Sequence, residues 1–158
     1  MLVEARINDL LAKMVEGWRC GDGVLFAQPF SMDARFVAFD GSVHNGPDEI
    51  SVFHQKAFDT VLKGTSLDLI VTDIRQIDQK TWLVFAKGWH RLSNAPNNQR
   101  RAESVNIFVC KTEAANAEIL AFQNTRVRPI TDQGSAELWK AFDTAWETRK
   151  PTNAERLS

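Results

Sequence analysis

The chain has no tyrosine, only two cysteines and five prolines, and no apolar run long enough to span a bilayer. No site can therefore draw on a phenolic hydroxyl. Cys20 and Cys110 are far apart and lack the CxxC spacing of a redox pair or a zinc ligand set, so they read as two reduced thiols of a cytoplasmic protein. No basic segment followed by an apolar stretch opens the chain; Leu2 to Trp18 is too interrupted by charge and reads as an amphipathic helix. A dominant charge is also missing, since 19 basic and 20 acidic residues nearly cancel. Without a net field, neither nucleic acid nor an anionic membrane is an expected partner. The nearest local basic pair, Arg100-Arg101 after "NAPNNQ", is expected in a solvated hairpin loop.

What is present suits an ordinary globular fold. A length of 158 residues with 44% hydrophobic and 25% charged side chains can bury a core without disulfides or metal. Ile7, Leu10, Leu11, Met14, Val15 and Trp18 recur at helical spacing before Gly21, which predicts a first helix. Asp22 is placed to cap a short second helix over "GVLFAQPF", ended by Pro29. A first strand is expected over Ala34 to Phe39, followed by a turn at "DGS". In "NGPDEI", Pro47 suits a first helical turn, and Asp48 and Glu49 suit the positive end of the dipole. The stripe Ile50, Phe53, Ala57, Phe58, Val61 and Leu62 then predicts a third helix reaching Gly64.

Beyond Gly64 the texture changes to four strands, "SLDLIVTDIRQI", "TWLVFAKGWHRL", "ESVNIFVCKT" and "AEILAFQNTRV". Short links make them antiparallel neighbours. Helix, helix, strand, helix and four strands define an α+β architecture with helices on one face of a curved sheet. Trp82, Val84 and Ala86 share one face of their strand and Leu83, Phe85 and Trp89 the other, so both faces need cover. A back-to-back homodimer is the expected cover for the second. A last helix is predicted over "SAELWKAFDTAWETRK", with Ser135 as its cap and Leu138, Phe142, Ala145 and Trp146 as its stripe. The remaining "TNAERLS" is expected to fray.

The order of elements, the phrase "FSMDARFVAFDG....G..EI..FH...F" and the strand "ILAFQNTRV" resemble the SgcJ/EcaC family of the SnoaL-like, nuclear-transport-factor-two-like superfamily. The likeness covers Val3 to Val127. It implies a cone-shaped α+β domain over residues 1–130, usually dimeric and enclosing an apolar pocket, with 131–158 as a helical extension. The superfamily includes steroid ketoisomerases, polyketide cyclases, epoxide hydrolases, dehydratases and members without chemistry, so fold alone gives no function. Lacking tyrosine, this chain cannot build the Tyr-plus-acid oxyanion hole of the ketoisomerases as such. An Asp-Arg-Asp water-activating set does not align onto its strands either.

The richest polar segment is "AFDGSVHNGPDEISVFH", Ala38 to His54. Asp40 reads as a turn residue, His44 as part of an exposed linker, and Asp48 and Glu49 as helix-start charges. A metal site built from Asp40, His44 and His54 would lack the i, i+4 histidine spacing of zinc motifs, so no metal is expected. His54 shares the buried face with Ile50 and Phe58. It is either a core histidine tied to a backbone carbonyl or a strand side chain, or a polar group on the pocket wall that orients a ligand or moves a proton. Asp33, which resembles the family's recurrent acid, is either a cap or turn contact, or a general base or partner of the histidine.

Ligand-binding candidates come from the strands. Trp82 shares parity with His90, and Trp89 with Arg91. The faces stay undecided at this point. Asn106, an amide among apolar residues, needs a partner, either a ligand or Gln123, Asn124 or Arg126 of the next strand. Trp82 or Trp89 could stack on a planar ligand. Two functions follow: an apolar-ligand pocket, catalytic or not, that would use His54 without a cofactor in isomerisation, cyclisation or dehydration; or a non-catalytic dimeric association or accessory domain.

Overall fold

The computed structural model describes residues 2–92, 100–113, 116–127 and 132–148. The chain divides into two compact units, Met1–Val127 and Arg128–Ser158. The first comprises α1 (Leu2–Cys20), α2 (Gly23–Ala27), β1 (Phe30–Val37), β2 (Val43–Asn45), α3 (Gly46–Asp59), β3 (Thr65–Gln76), β4 (Thr81–Leu92), β5 (Arg100–Thr112) and β6 (Ala117–Arg126). Its strands form one six-stranded sheet in the order β2-β1-β6-β5-β4-β3. All neighbours are antiparallel except β1 and β6, which run parallel. This is an α+β fold.

Each helix forms for the reasons its sequence suggests. The α1 stripe buries Ile7, Leu10, Leu11 and Met14, and Asp22 accepts the Leu25 N–H at 2.9 Å to start α2. Gly17 lets α2 cross α1 closely, since a Cβ there would stand 2.2 Å from the Phe26 nitrogen and 2.4 Å from its Cα. That approach sets Phe26 into the core. In α3, Ile50, His54 and Phe58 are buried, one helical turn apart, against the same layer.

Strand alternation divides the sheet into two faces. Trp82, Val84, Ala86, Gly88 and His90 of β4 stand opposite Cys110, Phe108, Asn106, Ser104 and Ala102 of β5. Val84, Ala86, Phe108 and Cys110 are almost wholly buried beneath the helices. Leu83, Phe85 and Val109 of the opposite parity are half-buried, and Val105 and Ile107 are exposed. An apolar strip thus runs along the sheet face turned away from the helices.

Several boundaries differ from the sequence expectation. β1 begins at Phe30, four residues early, and its pairing with β6 breaks between Phe30 and Arg35. The polar and irregular "SMD" hid that start. α3 stops at Asp59, where the Thr60 hydroxyl donates to the Lys56 carbonyl at 2.6 Å, and Val61 leaves the stripe for solvent. His44 lies in β2, paired with Phe36, rather than in a linker. Arg100 and Arg101 open β5 instead of occupying the hairpin loop; "NAPNNQ" lies outside the described residues.

The second unit holds α4 (Asp132–Thr148), in which Trp139 and Phe142 bring their rings to 5.8 Å. The helix begins three residues ahead of Ser135, which is therefore helical and not a cap. The Trp146 side chain and "TNAERLS" lie outside the described residues.

Candidate functional site

The helices and the inward sheet face of the first unit border two adjoining cavities that share part of their lining. The inner one, about 70 Å³, is floored by Gly88, Ser104 and Asn106 and walled by Met14, Phe26 and Leu69. The outer one, about 630 Å³, opens along Phe39, Phe53, Lys56 and Leu62. Trp18, Phe36, His54, His90, Asn124 and Arg126 line both. The inner chamber has room for a few waters, whereas the outer one falls in the range of small-molecule pockets.

His54 is the buried titratable group among the residues that line both cavities. Its ring is 4% exposed and lies parallel to Phe26 with centroids 3.8 Å apart, while Phe36 and Phe53 each meet it edge-on at 5.0 Å. Nδ1 lies 2.8 Å from the Ile50 carbonyl, and a carbonyl only accepts. Nδ1 therefore carries the proton, leaving the Nε2 lone pair with no hydrogen-bond partner among the described residues. Burial among aromatic rings pushes the imidazolium pKa down from 6.5 to about 4. At neutral pH His54 is an uncharged acceptor of fixed tautomer.

The sheet supplies a polar ladder opposite it. Antiparallel pairing sets Asn106 against Asn124 and Ser104 against Arg126 on the inward face. Ser104 Oγ donates to the Gly88 carbonyl at 3.3 Å and lies 3.4 Å from Asn106 Oδ1. Both side chains lean over Gly88, where a Cβ would stand 2.8 Å from Asn106 Oδ1 and 2.9 Å from Ser104 Oγ. Asn124 Oδ1 is buried with no hydrogen-bond partner among the described residues. Such an atom is costly unless a ligand or a water meets it.

Of the residues singled out from sequence, His54, Trp89, His90, Asn106, Asn124 and Arg126 come together around the inner cavity. Three do not. Trp82 lies at the other end of β4 and donates from Nε1 to Thr112 Oγ1 at 3.1 Å. Gln123 alternates onto the outward face opposite Ile107 and is exposed. Asp33 is exposed on β1, accepts from Ser31 Oγ at 2.9 Å and lines neither cavity, so it does not meet His54.

The sequence reading had passed over Trp18, Phe36 and Phe39 as wall residues, because each fits an ordinary core or strand pattern. His44 also departs from expectation: it is half-buried, stacks on Phe53 at 4.1 Å and stands 3.2 Å from Ser42 Oγ. Asp40 keeps its turn role, accepting from the Ser42 N–H at 3.0 Å and its hydroxyl at 2.7 Å. Both thiols are held protonated, Cys110 by burial that lifts its pKa to about 12 and Cys20 chiefly by its hydrogen bond to Glu16. Neither has thiolate character. Among the described residues no three His, Cys, Asp or Glu side chains gather as metal ligands.

The arrangement defines a class. The chain has the cystatin-like, nuclear-transport-factor-two-like fold, which it shares with many solved structures. A domain of unknown function from Nostoc punctiforme superposes with a TM-score of 0.73 at 25% identity, over 91% of this chain and 96% of that one. A ketosteroid isomerase-like protein from Erwinia carotovora atroseptica gives 0.61 at 11% identity, over 79% and 96%. A protein from Thiobacillus denitrificans named as a candidate calcium/calmodulin-dependent protein kinase type II association domain gives 0.65 at 7%, over 75% and 93%. No family model and no curated protein matches the sequence. No helix among the described residues is long and apolar enough to cross a membrane.

Proposed function

We propose that this chain binds a small, largely apolar molecule in the outer cavity and presents it to His54. The observation that carries this reading is a neutral imidazole of fixed tautomer that lines two adjoining cavities and whose Nε2 has no hydrogen-bond partner among the described residues. In that position the lone pair can accept a ligand hydroxyl or take a proton from carbon next to a carbonyl. Isomerisation, cyclisation and dehydration of carbonyl compounds can begin with such a proton transfer, and here charge developing on the ligand oxygen would have to offset the imidazolium that burial disfavours. Asn124 and Asn106 are the polar groups best placed to orient an oxygen of the ligand; Asp33, remote from both cavities, has no part in this scheme. No cofactor is required by it, and we assign the chain to the cytoplasm. The "FQNTR" strand supports placement in the SgcJ/EcaC family.

Thermal unfolding against a panel of planar aromatics, steroids, terpenoids and polyketide mimics tests the reading. A ligand at a hundred times its dissociation constant adds about 2.7 kcal/mol, raising the midpoint of a chain this size by about 5 to 10 °C. The shift should fall sharply in a folded His54→Ala variant. An absence of any shift across the panel would remove the pocket reading.

A second reading is a non-catalytic association or accessory domain, favoured by the small volume left inside the aromatic cluster around Phe26 and by the name of the Thiobacillus neighbour. Under either reading we assign the chain to homodimers. The half-buried Leu83, Phe85 and Val109 with the exposed Val105 and Ile107 form an outward apolar strip that a second copy would cover.

A further inference from the structure

The rim of the outer cavity is unevenly charged. Its ionisable groups besides the histidines are Lys56, Arg126 and Asp40. Asp40 already receives the Ser42 N–H and hydroxyl, which hold its carboxyl below the usual range. Arg126 is the reverse case: its guanidinium carbon stands 4.1 Å over the Phe39 ring, and among the described residues it makes no ion pair or hydrogen bond. A guanidinium held over an aromatic ring by its central carbon still has five N–H donors to offer. By contrast, Arg91, Arg75, Lys80, Lys87 and Lys111 all pair with carboxylates.

We propose, building on the small-molecule reading above, that the ligand is a monocarboxylic acid whose planar or alicyclic body lies against Trp18, Phe36, Phe53 and Leu62 and whose carboxylate sits on the Arg126 edge. A flat fork matches a carboxylate through two parallel hydrogen bonds, and the Phe39 ring beneath its central carbon helps hold that fork at the rim. Lys56, the other rim cation with no ion pair among the described residues, adds attraction without geometry. The position of the carboxylate at the rim leaves the apolar body directed inward toward His54. Arg126 is thus a specificity-determining residue, and Phe39 its positioning residue.

Calorimetric titration of the full chain with 2-naphthoate and abietate, each beside its primary amide, tests this. The acids should bind at least about tenfold more tightly than the amides, with Arg126→Gln removing about tenfold or more for the acids and leaving the amides within about twofold. Raising salt should weaken the acids alone. Arg126→Lys should restore part of the loss, and Lys56→Gln should produce a smaller one. Equal binding of acid and amide, or acid binding unchanged in Arg126→Gln, overturns the carboxylate inference and leaves the pocket standing. Failure of all four compounds to bind overturns both.

Discussion

The His54 imidazole lies on the Phe26 ring, 3.8 Å between centroids and 26° between planes, so the buried titratable group lining both cavities is held by the helix that Gly17 admits. Position and protonation state thus share one cause. The aromatic shell that fixes the ring also denies the imidazolium its solvation.

The sign of the resulting pH dependence follows. His54 has a folded pKa of about 4 against an ordinary value of 6.5, so between those limits the unfolded chain binds a proton that the native state refuses. Its contribution is neutral above pH 6.5 and becomes destabilising as pH falls, approaching roughly 3 kcal/mol near pH 4. Urea midpoints for the native chain and His54→Phe should therefore converge or cross on acidification, the variant losing less. Parallel profiles would show that His54 titrates normally.

Close backbone approaches predict the cost of adding one methyl. At Gly17 the clash is with Phe26 main chain, which cannot yield without moving α2, so Gly17→Ala should cost about 3 kcal/mol or more. Gly88→Ala meets only side-chain ends and should cost about 1 to 3 kcal/mol, partly relieved by adding Ser104→Ala. Equilibrium denaturation of the three variants gives the ordering; an equal loss at both glycines would contradict it.

Asn124 sets stability against binding. Replacing it by Leu removes a buried, unpartnered oxygen and should raise stability by up to about 1 kcal/mol while weakening any ligand that reaches the ladder. Thermal scans with and without ligand report both effects. A destabilised Asn124→Leu would mean that the oxygen is already satisfied in solution.

The outward strip predicts assembly. Sedimentation at micromolar concentration should give a dimer, and Ile107→Lys, placing a charge beside Phe85 on that face, should shift it to monomer with the fold retained. A monomeric native chain would leave the strip uncovered and the dimer assignment wrong.

Much of this molecule is local and was therefore legible. The α1 and α3 stripes, the Asp22 cap and the Asp40 turn each depend on residues within about one or two helical turns, and each formed as its spacing dictates. Boundaries failed where a local rule met a stronger one: β1 starts at Phe30, ahead of "SMD", where it pairs with β6, and α3 ends early at Asp59 with Thr60 as its cap. Ser135 fits a capping rule but lies inside α4.

The candidate site divides in the same way. Alternation alone separated Trp82 and His90 from Trp89 and Arg91, and Asn124 and Arg126 from Gln123, because a period of two is written in the strand itself. Which set faces the helices is not written there. It is decided by where α1, α2 and α3 lay their apolar stripes, a contact between residues far apart in the chain, as when Phe26 and Phe36 close around His54. The sequence by itself determined the elements, the α+β order and the two faces of each strand. Only tertiary packing chose the inward face, placed Asp33 and Gln123 away from the cavity lining, and left Arg126 at the rim with no ion pair among the described residues, since burial and charge pairing depend on neighbours that the chain brings together only when folded.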